Sequence, residues 1–369
     1  MVAVELETRE ILVALARRYG FRELAYLVGA GVTGAELPQR ELAGIQQLCS
    51  YGQRLMDVDA GELAKPDAAS GATTDTTFAI LVGDEVVPPE LVARGTRCHI
   101  RRSPDPEAAD VLVDLRPLFR LLLEAIAARW SRFETLRVLA LAHVAAEYSP
   151  LLAWQPYLGH AGDPFRLRAD PMFTGLGSRW GHIDDPACPR PRHEKAASAR
   201  ALRVAGEPDP GWRSYLDRQH TVVARAFAGC ATDCPAPCVV MTQFDPMIRS
   251  RLVSAAQAAV AYRASALVRL RHQALVGHGL GAPSRAEVAR AWERSRTTIA
   301  GRGPTGAAVL TDDGYPLPGL PSLFGAIAGA SLTPDTLLAD TRDAVVSRLD
   351  PDRLVWRSST VDALIDGHD

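Results

Sequence analysis

The residues best suited to chemistry in this chain lie between Ala255 and Ala307. The stretch AAQAAVAYRASALVRLRHQALVGHGLG has the spacing of a long amphipathic helix and carries His272. About thirty residues beyond that histidine comes GRGPTGA, with glycines at Gly301, Gly303 and Gly306. A buried helix that presents one imidazole, backed by a flexible glycine-rich lid, is one way for a protein to hold a haem iron on one axial side. Arg269 and Arg271 stand beside His272, and haem propionates need cationic partners of that kind. The flanking runs Ala255–Leu267 and Ala274–Leu280 are rich in Ala and Val, which lets a flat macrocycle approach the backbone. The competing reading is a core histidine with its hydrogen bonds satisfied. The flanking arginines and small residues favour the ligand.

Three other constellations invite chemistry. GAGVTG, Gly29 to Gly34, fits the G-x-G-x-x-G pattern in which glycines bring the backbone against a pyrophosphate at a helix N-terminus. Pro38 would fall in the first turns of the following helix, where it removes a donor and clashes, so a glycine-rich turn between helices is the preferred reading. Cys230, Cys234 and Cys238, preceded by His220, offer thiolates, but their three-residue spacing matches neither zinc nor ferredoxin patterns. They read as reduced, metal-free thiols. The third group is the span 154–195, rich in Trp, His, Gly, Pro and Arg. His160, His182, Asp184, Asp185 and the pair His193-Glu194 lie there with Trp154, Tyr157, Phe165, Phe173 and Trp180, the surface of a pocket wall. His182-x-Asp184 imitates a non-haem iron triad, but the strands that usually house one are missing from the pattern.

The elements that must position these residues are mostly helical. Apolar stripes at i, i+3, i+4 mark helices over 5–19, 106–130, 132–146, 211–228, 245–279, 284–300 and 334–349. TFAILV-GD-EVV, 77–87, reads as a hairpin, and CHIRR, 98–102, adds a third strand. The small polar stretch 61–77 is the best linker. The expectation is a mainly α fold: a helical haem-binding bundle over 105–369 behind a small N-terminal α/β cap over 1–104.

Composition bounds the rest. A chain of 369 residues with 47% hydrophobic and 23% charged residues is globular, with ample core. A net charge of −2 gives no polyanion-binding surface, so no nucleic-acid partner is expected. Lysine occurs only at Lys65 and Lys195. No run is apolar enough to span a membrane, and the acidic start MVAVELETRE lacks a signal-peptide plan. Six cysteines without a secretory address point to a cytoplasmic protein.

SALVRLRHQALVGHGLG followed by GRGPTGA resembles the proximal segment of the histidine-ligated haem-dependent aromatic oxygenases: tryptophan and indoleamine 2,3-dioxygenases and bacterial tyrosine hydroxylases. The likeness covers about fifty residues. It implies that His272 is the axial ligand of haem b and that Gly303, Thr305 and Gly306 match a loop over the substrate. A proline intervenes in GRGPTGA, and the serine-rich segment of the tryptophan-cleaving enzymes has no counterpart. Ring hydroxylation therefore fits better than ring cleavage. A His-x₃-Cys haem attachment is also absent, so the haem would be held non-covalently.

The function expected is a haem-dependent oxygenase or peroxygenase acting on an aromatic amino acid, tyrosine or a derivative, with dioxygen or hydrogen peroxide, in secondary metabolism such as antibiotic biosynthesis. His143, His160 or His182 would face the iron from the distal side. Arg166 and Arg168 would pair with the substrate carboxylate, with Trp180 beside them. Alternatives are a tryptophan- or indole-oxidising dioxygenase, a dinucleotide-dependent enzyme using Gly29–Gly34, and a non-catalytic helical ligand-binding protein. A homo-oligomer is compatible with all of them.

Overall fold

The computed structural model describes residues 2–32, 37–58, 87–98, 114–160, 244–274, 277 and 281–350. Among them there are helices and no strand. The chain divides into two compact units: residues 1–99 with 335–369, and residues 100–334. The expected boundary after residue 104 thus lies close to the first break, but the C-terminal stretch belongs with the N-terminal unit. The expected hairpin over 77–87 falls almost wholly outside the described residues, as does 99–102. Cys98, expected to open a strand, instead ends a helix.

The first unit contains α1 (Val2–Arg17), α2 (Phe21–Gly29), α3 (Gln39–Met56), α4 (Pro89–Cys98) and α12 (Leu337–Leu349). The last of these packs on α1, α3 and α4 across more than 200 residues of intervening sequence. Its buried Leu337, Leu338 and Val345 join a core with Leu12, Phe21, Leu48 and Leu55. One guanidinium holds its start in place: Arg94 reaches Asp340 at 2.5 Å, Asp335 at 2.6 Å and the Thr336 hydroxyl at 2.9 Å. Tyr51 donates to the Leu91 carbonyl at 2.5 Å, and Gly95 leaves the room its ring needs, since a Cβ there would lie 2.3 Å from the phenol oxygen.

LAYLV, considered above as a strand before GAGVTG, is helical within α2. Gly29 is that helix's last residue, and Gly31 has φ +77°. Pro38 lies just ahead of α3, where its fixed φ does no damage. The motif thus joins two helices. It lacks the strand–turn–helix context that a pyrophosphate site requires.

The second unit contains α5 (Arg116–Ser131), α6 (Thr135–Leu158), α7 (Pro246–Arg263), α8 (Ala266–Gln273), α9 (Arg285–Ala300), α10 (Gly303–Ala307), a 3-10 turn (Ala308–Leu310) and α11 (Leu320–Ala328). At its centre is α6, packed against α5, α7, α8 and α11. Sequence periodicity ends this helix near Ala146, yet it continues to Leu158 through Pro150 and Pro156. Pro150 cannot donate to the Ala146 carbonyl four residues back. The Ser149 hydroxyl donates there instead, at 3.2 Å. Buried aromatic rings lock the neighbours together: Phe119 and Phe324 lie 4.9 Å apart, and Phe324 and Tyr262 5.1 Å, edge to face.

The helix expected over 245–279 is two helices. It breaks at Ala264–Ser265, where Ser265 caps α8 by accepting from the Val268 amide. The Leu267 amide, another donor left over at this helix start, is taken by the buried Ser295 hydroxyl at 3.0 Å. Local propensity favoured one continuous helix, and two side-chain oxygens made the break inexpensive.

Candidate functional site

Two histidines from distant parts of the sequence come together in the second unit. His143 on α6 and His272 on α8 have ring centres 6.0 Å apart with planes at 83°. Their helices are brought into place by buried contacts. Tyr262, fully buried near the end of α7, donates to the Ala142 carbonyl next to His143 at 2.9 Å. Ser295 on α9 fixes the start of α8, as above. Gly277 then closes the far end: a Cβ there would lie 2.5 Å from the Arg271 carbonyl oxygen and 2.6 Å from the His272 Cα. Only a glycine permits the chain to fold so tightly onto the histidine's backbone.

The two rings differ in setting. His143 is half-buried, its side chain 23% exposed. Its Nδ1 is buried with no hydrogen-bond partner, while Nε2 lies 3.7 Å from Glu147 Oε1, one turn along the helix. Glu147 is in turn 4.0 Å from the Arg263 guanidinium. Burial lowers the His143 pKa below its ordinary value, Arg271 lowers it further, and Glu147 opposes both less strongly. The imidazole is therefore neutral at pH 7. His272 is exposed near the end of the eight-residue α8. It does not sit in the middle of a long buried helix, as its sequence surroundings suggested. The buried helix presenting an imidazole is α6, and the imidazole is His143.

The other expected site residues fall elsewhere. His160 is 4% exposed and 17 positions beyond His143 on the α6 line, roughly 25 Å at helical rise. It cannot share a site with His143. Arg271 is half-buried beside the histidine pair, and Arg269 is exposed. Gly303, Thr305 and Gly306 form most of α10, which packs on α7, α9 and α11. Thr305 and Ser254 share a hydroxyl–hydroxyl bond of 2.9 Å, and a Cβ on Gly306 would lie 2.2 Å from the Ile299 carbonyl oxygen. Residues 303–307 of GRGPTGA thus form a helical turn, in which Gly306 is required by close packing against Ile299. Arg166, Arg168, Trp180, His182 and the three cysteines Cys230, Cys234 and Cys238 lie outside the described residues.

Glu147 and Arg263 are site residues that sequence reading missed. Glu147 could have been found, because i, i+4 spacing from His143 puts it one turn away on the same face. Arg263 could not, since only the packing of α7 on α6 brings it near.

Haem makes three demands that can be compared with this cluster. Its porphyrin supplies four nitrogens, so the protein need give the iron only one or two ligands. That matters here, because among the described residues no group of three or more His, Cys, Asp or Glu side chains is placed to hold a metal ion alone. The exposed imidazole of His272 is a suitable donor, whereas Nδ1 of His143 is buried and its Nε2 faces Glu147. Leu136, Ala140 and Val144 lie with His143 on one half-buried strip of α6, an apolar bed for a flat ring. Arg263 and Arg271 offer cations at its rim. Of the two imidazoles, that of His272 is the exposed one, so it is the residue that would hold such a group.

Among the described residues no helix is long and apolar enough to cross a membrane. Comparison with protein-family models, with curated proteins and with solved structures finds no match.

Proposed function

We propose that this protein is a haem-dependent oxygenase or peroxygenase that hydroxylates an aromatic amino acid, tyrosine or a ring-substituted tyrosine, with its iron held by His272. The observation that carries the reading is the meeting of His143 and His272. An exposed imidazole flanked by arginines, with a second imidazole beside it, suits haem iron, and among the described residues no group of three or more ligating side chains is placed to hold a metal ion alone. The aromatic substrate class comes from the resemblance of 255–307 to the haem-dependent aromatic oxygenases.

When bound, haem b supplies the activation of dioxygen or peroxide. The chain's own groups do the rest. His272 anchors the group through an imidazole at the end of α8. His143 stays neutral, so it can accept or donate a hydrogen bond beside the iron. Arg263 and Arg271 neutralise carboxylates that haem or substrate brings into the cluster. In this reading the substrate carboxylate falls to Arg166 and Arg168.

The test is haem titration of the purified chain followed by absorption. A Soret band that saturates at one haem per chain, is lost or much weakened in His272→Ala, and shifts when tyrosine is added supports the reading. Conversion of tyrosine to a catechol, with peroxide or with dioxygen and a reductant, completes it. Absence of any Soret band after loading overturns it, and N-formylkynurenine formed from tryptophan, with tyrosine inert, overturns the hydroxylation.

A further inference from the structure

We infer that His143 is a positioning residue for His272: its ring, fixed on α6, sets the plane in which the His272 imidazole is offered to the iron. This role rests on the haem reading above and adds what orients the ligand. The two ring centres lie 6.0 Å apart with planes at 83°, the edge-to-face arrangement of rings in direct contact. A contact of that kind favours one mutual orientation by roughly two- to tenfold. His272 needs such a guide. A histidine that binds a metal through one ring nitrogen ordinarily directs the other N–H at a carboxylate or carbonyl, which fixes its tautomer and its orientation. Among the described residues His272 has no hydrogen bond or ion pair, so the ring of His143 is the group that restrains it.

His143 is itself well held. Tyr262 fixes the backbone beside it by donating to the Ala142 carbonyl at 2.9 Å, and Leu139, Ala142 and Ala146 of the same helix are fully buried. Its Nδ1 is buried, and its Nε2 faces Glu147 Oε1 at 3.7 Å. Glu147 in turn lies 4.0 Å from the Arg263 guanidinium on α7. The carboxylate that ordinarily holds a metal-bound histidine is therefore placed one ring further back: Glu147 orients His143, and His143 orients His272. The division suits the two helices. α6 has 24 residues and packs on four neighbours, whereas α8 has eight and ends at Gln273, one residue beyond His272. An exposed imidazole on so short an element gains most from a ring carried by the rigid one, because otherwise its own rotamer freedom is lost when it binds.

The experiment has one arm without haem and one with it. In the full chain carrying isotope-labelled histidine, the His272 ring signals in nuclear magnetic resonance are identified by their loss in His272→Ala. They should be displaced by the neighbouring ring and relax as those of an ordered side chain. His143→Ala should move them toward the free-histidine position and make the ring more mobile, and His143→Phe should keep them in place. His143→Leu should behave as His143→Ala; it fills space without presenting a ring, so it separates orientation from simple packing. Loaded with haem, His143→Ala and His143→Leu should keep the Soret band, bind haem roughly two- to tenfold more weakly, and show a broadened or shifted ferric electron paramagnetic resonance spectrum, with His143→Phe close to wild type. His272 signals and a ferric spectrum unchanged in His143→Ala, or restoration by leucine as good as by phenylalanine, overturn the positioning role and leave haem binding intact. A wild-type chain that takes up no haem overturns the functional reading, and this role with it.

Discussion

Replacing Ser295 by alanine tests how the site is positioned. The Ser295 hydroxyl is 1% exposed, accepts from the Leu267 amide at 3.0 Å and donates to the Ala291 carbonyl at 2.6 Å. The second bond is local to α9 and is lost with little penalty, because the carbonyl keeps its helical partner. The first is the important one. Leu267 is fully buried and opens α8, so its amide has neither an earlier carbonyl in its own helix nor access to water. Leaving a buried donor unpaired costs about 1–3 kcal/mol, and we take about 2 kcal/mol as the expected loss. In a domain of this size each kcal/mol corresponds to about 2–4 °C, so the melting temperature of the second unit should fall by about 4–8 °C. Haem affinity should fall too, because α8 carries His272. The Ser254→Ala variant is the comparison, since Ser254 is only half-buried, donating to the Thr305 hydroxyl at 2.9 Å and accepting from its amide at 3.3 Å; it should cost under about 1 kcal/mol. Urea titration of both variants beside wild type gives the energies. A Ser295→Ala variant within about 0.5 kcal/mol of wild type would refute the assignment of this serine as the anchor of α8.

Gly277→Ala should weaken haem binding by pushing the backbone at Arg271 and His272, whereas Gly301→Ala, whose Cβ meets nothing closer than 3.8 Å, should leave the titration unchanged. Equal affinities in the two variants count against the tight fold at His272. Glu134 gives a pH signature. Burial raises its pKa, but Arg132 and Arg129 outweigh this and hold it below the ordinary 4.5, so its contribution is full above that pH and is lost as pH falls through the lowered value. Acid unfolding should therefore show a component that Glu134→Gln removes, and the variant should be less stable at pH 7 because the buried Arg129 loses this ion pair. Finally, isothermal titration should detect no NAD or NADP binding at Gly29–Gly34, since the residues ahead of that motif are helical. Micromolar affinity abolished by Gly31→Ala would reverse that conclusion.

Helical class was legible in the sequence because period-3.6 apolar stripes are local and repeat often. The helices over 285–300 and 337–349 lie close to where their patterns place them. At the start of the first of these, Ser284 and Glu287 form a reciprocal capping box. His272 was legible as a residue worth attention, since its type and its arginine neighbours are features of sequence alone.

What packing decided was non-local in each case. Proline in α6 reads as a stop, but a helix buried on most sides keeps going when a neighbouring serine replaces the missing donor. The long helix expected over 245–279 divides because Ser295, from another helix, satisfies an amide at the break. Gly306 of GRGPTGA read as part of a lid, yet it is buried against the Ile299 carbonyl, a contact that only the tertiary structure reveals. The pairing of His143 with His272 spans well over a hundred residues of chain, and the return of α12 to the first unit spans still more. A sequence pattern records what each residue can do with its neighbours along the chain. Which imidazole is half-buried, which is exposed, and that their rings meet edge to face at 6.0 Å follow from how α6, α7, α8 and α9 pack, because hydrophobic burial acts on surfaces without regard to their order in the sequence.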